Sequence, residues 1–179
     1  MNKVPKVISS KSVYNNKFQE IKVDVLELDG YKWEQVYFIK PNKDGVGVLP
    51  VDESGIYLVN QYRHASQAFL WQLPTGMMDP GSTEIDTAKH ELLEEAGLTA
   101  KEFVKIGSIF AEPGMSNQEE FIYLAKGLEK REQHLDETEQ GMKVKHFSFD
   151  EIEKMIKSGE IKCGFTLSAL MLYRNNYLK

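Results

Sequence analysis

The first clear helical period in this chain begins only at Thr83, and the ordered pattern before it reads as strand, which limits the fold more than any other feature. Between Phe18 and Gln61, Ile21, Val23 and Val25 alternate with polar residues, Asp29-Gly30 marks a hairpin turn, and Trp33 to Ile39 supplies the returning strand. Asp44-Gly45 and Ser54-Gly55 punctuate two more strands, Val46 to Val51 and Ile56 to Tyr62. From Thr83 to Ala96, Ala88, Leu92, Leu93 and Ala96 form an apolar stripe at helical spacing, which Thr83 and Asp86 can cap at one end and Gly97 at the other. Further strands are expected at Phe103 to Ala111, Glu120 to Ala125 and Met142 to Phe149. Ser148 and Glu151 then open a helix that ends near Gly159, and Phe165 to Tyr177 makes a last one. Strands with a few interspersed helices, without strict βαβ alternation, indicate an α+β sandwich.

A chain of 179 residues is long enough to bury one good core and short for two. Its apolar residues come in short runs, far below the ~18 consecutive ones a membrane span needs, so no membrane partner is expected. The first sixteen residues carry lysines with no apolar block behind them and do not read as a secretory signal. Cys163, the single cysteine, cannot close an internal disulfide, which fits a reducing compartment; a cytoplasmic protein is expected. A net charge of −5 with no basic stripe argues against nucleic acid as a partner, since that affinity comes mainly from Lys and Arg neutralising phosphates. Arginine occurs only at 63, 131 and 174, so an anionic substrate would need a metal ion to supply most of the local positive charge.

The most informative stretch is GMMDPGSTEIDTAKHELLEEAGL, residues 76 to 98. Its helix carries Glu91, Glu94 and Glu95, and the i, i+4 pair Glu91/Glu95 is expected on one face with the leucines on another. Carboxylates at that spacing repel one another unless a cation lies between them, and hard oxygen ligands on a rigid element suit Mg²⁺. Helix spacing alone favours a solvated acidic face over a metal site.

The surroundings favour the metal. A loop, a helix with three glutamates and a glycine stop resemble the Nudix box, G-x5-E-x7-R-E-U-x-E-E-x-G-U with U aliphatic. Gly76, Glu91, Leu92, Glu94, Glu95, Gly97 and Leu98 fall in register, seven of its nine defined positions. The departures are Ser82 for Glu and His90 for Arg, two side chains whose ion pair supports the loop in the family; a Ser82–His90 hydrogen bond is the expected substitute, with His90 pointing away from the glutamates. Gln61-Tyr62-Arg63 and Trp71 to Gly76 are similar to the QYR and E-L-P-A-G segments of the ADP-ribose pyrophosphatase branch, with Gln72 in place of a common Glu. Ala111 to Glu119 resembles that branch's P-G-x-S-[DN]-E loop with one residue inserted, and Pro113 stands fifteen residues after Leu98, where the branch carries its marker proline.

The resemblance implies a Nudix α/β/α sandwich with a mixed sheet over residues 44–179, preceded at 1–43 by an antiparallel β meander that serves as a dimerisation element. It implies an enzyme that hydrolyses the pyrophosphate of a nucleoside diphosphate linked to a second group, ADP-ribose foremost and another nucleotide sugar as the alternative, with Mg²⁺ as cofactor, Mn²⁺ as its alternative, and a homodimeric state; the departures at Gln72, Ser82 and His90 leave a catalytically weakened binding or regulatory module as the rival reading. Glu91, Glu94 and Glu95 with the backbone carbonyl of Thr75 would ligate the metal, and Glu94 would complete or orient the cluster. Arg63, Pro113, Met115 and Trp33 would contact substrate. The acidic loop Asp136 to Gln140 would send a general base into the site. Spacing from Phe149-Asp150-Glu151 points to Gln140, whereas the E-x-E pattern points to Glu139; Glu139 is the first choice and Glu137 the second.

Overall fold

A computed structural model describes residues 3–40 and 44–177. The boundary expected at residue 43 lies outside the described residues.

The described residues form ten strands and three α-helices. A three-stranded antiparallel sheet, β1 (Lys6–Asn15), β2 (Glu20–Leu28) and β3 (Tyr31–Ile39), comes first. A four-stranded sheet follows in the order β7 (Thr75–Met77), β4 (Gly45–Pro50), β9 (Glu120–Lys130), β8 (Leu98–Ile109). It is mixed, because β4 runs parallel to β9 while its other pairings are antiparallel. The third sheet is antiparallel, in the order β10 (Lys143–Ser148), β5 (Gly55–Arg63), β6 (Ala68–Gln72). The helices are α1 (Glu84–Ala96), α2 (Phe149–Ser158) and α3 (Gly164–Tyr177).

β4 is buried along its whole length, and its alternation builds two cores. Val46 and Val48 join Val59, Tyr123, Ala125 and the α1 residues Ala88, Leu92 and Ala96 on one side. Leu49 joins Leu58, Ile122, Leu124 and the α2 and α3 residues Ile152, Met155, Phe165 and Leu170 on the other. Helices therefore cover both faces of the strand layer, the α+β arrangement expected, with α1 alone on its own side. Gly47 faces α3, where a Cβ would collide with the Phe165 ring.

The sequence signals at α1 act as read. Thr83 accepts from the Asp86 N–H at 3.3 Å, and Gly97 ends the helix in the left-handed region at φ 59°. Ser148 and Glu151 form a reciprocal capping box on α2. Four strands depart from expectation. β1 lies within the expected meander but ahead of Phe18, where the strand pattern begins, and its residues are all exposed, so no alternation of burial marks it. β6 lies at Ala68 to Gln72, where no strand is expected, and pairs with β5. β7 also lies where no strand is expected; Thr75, Gly76 and Met77 pair with Gly47, Val46 and Gly45. β8 starts at Leu98, directly after the Gly97 stop, and not at Phe103.

Candidate active site

The site is built where β7 passes under α1. Gly76 sits beneath Glu91, and a Cβ at residue 76 would overlap the Glu91 carboxylate. The first glycine of the box therefore lets a helix carboxylate lie against strand backbone. One residue earlier, the Thr75 N–H donates to Glu95 Oε2 at 2.7 Å. Glu95 is only 1% exposed. It belongs to the buried side of α1 and not to an open acidic face, which corrects the expectation that Glu91 and Glu95 project together away from the apolar stripe.

Burial has a direct electrostatic consequence. It pushes the Glu91 carboxyl up to about 7, helped by the Glu94 charge and, more weakly, by Glu139 and Asp79, with His90 acting the other way. Burial likewise pushes Glu95 up to about 8, opposed by the Thr75 N–H and by Arg63 and reinforced by Glu91 and Glu139. Glu94 is raised by burial too, with His90 opposing and Asp136 and Glu139 adding to it. Three acids that resist ionisation, each sensing the same further carboxylate, form one electrostatic unit that a cation would relieve.

The further carboxylate is Glu139. It stands at the end of a 3₁₀ turn, Glu137–Glu139, in the loop between β9 and β10, and its Oε2 is buried with no hydrogen-bond partner among the described residues. Glu137, the second choice, is exposed, and its charge is not among those that shift the three helix acids. Gln140, the other position the spacing allowed, is turned back into its own loop, where its amide donates to the carbonyls of Leu135 and Asp136. The loop is sewn onto the end of α1: the Arg131 N–H donates to Gly97 O, the His134 N–H to Glu94 O, and the Gln133 amide to Glu95 O. These bonds satisfy helix-terminal carbonyls that lack partners within the helix, and they fix Glu139 opposite the helix acids. No sequence signal marks Gln133 or His134 for this task.

His90 does not point elsewhere. Its Nδ1 lies 3.0 Å from Glu94 Oε2 and 3.9 Å from Glu91 Oε1. Ser82 lines the same small cleft, but no hydrogen bond joins it to His90 among the described residues; the Ser82 N–H donates to Asp79 O. The short hydroxyl has no acidic group to offer, so the imidazole turns to the nearest carboxylate on its own helix, one turn on.

Arg63 ends β5, and Gln72 aims it. The Arg63 Nε donates to Gln72 Oε1 at 3.0 Å, and the buried Gln72 amide donates in turn to Gln61 Oε1 at 3.0 Å. A neutral Gln leaves the guanidinium charge unspent, and among the described residues Arg63 has no carboxylate within ion-pair distance. Pro113, Met115 and Trp33 are placed differently. Trp33 stands on β3 opposite Leu26 in the N-terminal sheet. Met115 is exposed, and its carbonyl accepts from the Phe38 N–H at 2.7 Å; the Gln35 amide reaches Gly114 O at 3.1 Å and Asn117 reaches the Lys40 N–H at 3.1 Å. The loop holding Pro113 and Met115 is thus tied to β3, at the edge of a cleft of about 310 Å³ lined by Phe38, Lys40, Glu112, Ser116, Gln118 and Glu120. Gln118 borders this cleft and donates to Met77 Sδ, next to Gly76.

The donor set suits a divalent cation. It offers carboxylate oxygens from Glu91, Glu94 and Glu139, one of them buried without a partner, beside a glycine whose missing side chain leaves room for the Glu91 carboxylate.

Comparison with known proteins identifies the family. The family described as the NUDIX domain matches residues 41–163. The chain is 30% identical over 175 residues to an ADP-ribose pyrophosphatase of Bacillus subtilis, covering 93% of this chain and 92% of that one. It is 27% identical over 168 residues to a methanol dehydrogenase activator of Bacillus methanolicus, covering 92% and 90%. Among solved structures, an ADP compounds hydrolase superposes with a TM-score of 0.87 at 17% identity, covering 97% of this chain and 94% of that one, which is a likeness of fold. No helix among the described residues is long and apolar enough to cross a membrane. The match over most of the chain, together with a full-length relative at this identity, places the protein in the Nudix family as a Nudix hydrolase.

Proposed function

We propose that this enzyme hydrolyses the pyrophosphate of ADP-ribose in a Mg²⁺-dependent reaction, consuming one water and releasing AMP and ribose 5-phosphate. The observation that carries the reading is the convergence of Glu91, Glu94, Glu95 and Glu139, with a buried Glu139 oxygen left unpartnered. The substrate is supported by the name of the Bacillus subtilis relative and by the proline loop at 113.

Glu91, Glu94 and Glu95 with the Thr75 carbonyl would hold the cation. When bound, Mg²⁺ offsets the negative charge that shields a phosphoanhydride from attack and makes water easier to ionise; Mn²⁺ could serve the same role. Glu139 takes the proton from the attacking water at its free carboxylate oxygen, and Glu137 is the alternative base. Arg63, held by Gln72, binds a phosphate oxygen. Trp33 would lie against the nucleobase, and Pro113 and Met115 would shape the substrate cleft.

The N-terminal sheet would act as the dimerisation element of a cytoplasmic homodimer. Val7, Ile8, Val13 and Tyr14 of β1 are exposed apolar groups that a second copy would cover. A panel of nucleoside diphosphate compounds incubated with Mg²⁺ and scored for released monophosphate tests the function. ADP-ribose should be the best substrate; faster cleavage of another nucleotide sugar would move the specificity, and no release from any compound would refute hydrolysis.

A further inference from the structure

We propose that His90 is a ligand of the divalent cation in this site and biases it toward ions that accept imidazole nitrogen, Mn²⁺ and Co²⁺, relative to Mg²⁺. The inference rests on the cation-dependent reading of the Glu91, Glu94 and Glu95 cluster.

Three observations carry it. First, the position changes chemical kind. The box pattern has Arg here, a side chain with donors only; an imidazole has a lone pair to give. Second, the geometry is that of a coordination edge. Nδ1 of His90 is 3.0 Å from Glu94 Oε2 and 3.9 Å from Glu91 Oε1, and the three ligand atoms lie within 4.8 Å of one another. Adjacent ligands of an octahedral cation, at about 2.1 Å from it, are separated by about 3.0 Å. Third, the imidazole is not needed for the task the Arg performs. Its loop partner is replaced by Ser82, to which no hydrogen bond runs from His90 among the described residues. Glu95, meanwhile, has one oxygen committed to the Thr75 N–H, so the helix has fewer free carboxylate oxygens than its three glutamates suggest.

The ring is mostly exposed, with 71% of its side chain accessible, so a small rotation onto a cation meets little packing resistance. Mg²⁺ favours oxygen ligands and keeps its waters; Mn²⁺ also favours oxygen but stands at the foot of the affinity order for nitrogen-containing sites that rises through Co²⁺, so both gain more from an imidazole than Mg²⁺ does, Co²⁺ the more. Replacing one oxygen or water in the coordination shell by Nδ1 should therefore raise affinity for the transition ions more than for Mg²⁺.

The test is equilibrium binding to chelator-stripped, full-length protein, by calorimetry with Mg²⁺, Mn²⁺ and Co²⁺, on wild type, His90→Gln and His90→Arg, together with proton NMR of the Co²⁺-loaded protein. The wild type should show paramagnetically shifted imidazole ring C–H resonances, which do not exchange with water, that both variants lack. The ratio of Mn²⁺ to Mg²⁺ affinity should fall by about tenfold in His90→Gln, the scale expected for losing one ligand interaction, with Mg²⁺ affinity itself nearly unchanged. Circular dichroism should confirm that the variants fold. An unchanged ratio in His90→Gln, or a Co²⁺-loaded wild type without the shifted resonances, overturns the proposal and marks His90 as an ion-pair partner of Glu94. A wild type that binds none of the three ions overturns it too, and in that case the cation-dependent function falls with it.

Discussion

The Glu91 carboxylate lies so close over Gly76 that a Cβ at residue 76 would overlap its Oε1. A helix acid and a strand backbone share one space, which only glycine permits. Gly76→Ala should leave the fold intact at a cost of about 1–3 kcal/mol, while displacing the Glu91 carboxylate and weakening cation binding more than tenfold. Thermal unfolding and calorimetry on the same samples would show the two effects. An alanine variant with undiminished cation affinity would mean that Glu91 does not hold the ion from this position.

The raised carboxyls set a pH dependence whose sign is fixed. Glu91 at about 7 and Glu95 at about 8 both lie above the 4.5 of an unperturbed carboxyl. Between those values the folded chain binds more protons than the unfolded one, so these groups make stability fall as pH rises through the window. Metal-free protein should melt at a lower temperature at pH 8.5 than at pH 5.5, and a divalent cation should restore much of the loss at pH 8.5. Cation binding near pH 7 should release about one to two protons, measurable by calorimetry in buffers of different ionisation enthalpy. Zero release would contradict the protonated state of the pair.

Glu139 and Glu137 separate cleanly. Glu139→Gln should lower turnover by about 10²–10⁴, the range for loss of a general base, with substrate affinity little changed. Glu137→Gln should be nearly silent, since that side chain is exposed. The reverse pattern in steady-state kinetics would move the base to Glu137; two silent variants would remove the loop from the chemistry.

Much of this was legible in the residues. The caps of α1 and α2, the hairpin turn at Asp29-Gly30 and the register of Gly76 with Glu91, Glu94, Glu95 and Gly97 are signals carried by the residues themselves, and at the caps local hydrogen bonds enforce them. What escaped depends on partners distant in sequence. β1 shows no alternation of burial because its ten residues are all exposed, so only its pairing with β2 defines it. The burial of Glu95 follows from the Thr75 N–H, twenty residues earlier. The turn of His90 toward Glu94 follows from what Ser82 cannot supply. The choice between Glu139 and Gln140 needs the loop itself, where the Gln140 amide is taken by Leu135 and Asp136 while a Glu139 oxygen is left free.

The most direct measurement is the rate of AMP release from ADP-ribose by protein stripped of metal with a chelator and then titrated with Mg²⁺. The Glu91, Glu94 and Glu95 cluster cannot oppose the charge of a pyrophosphate by itself, so release should be absent without the cation and recover saturably as it is added. Undiminished release under exhaustive chelation would contradict the account at its centre.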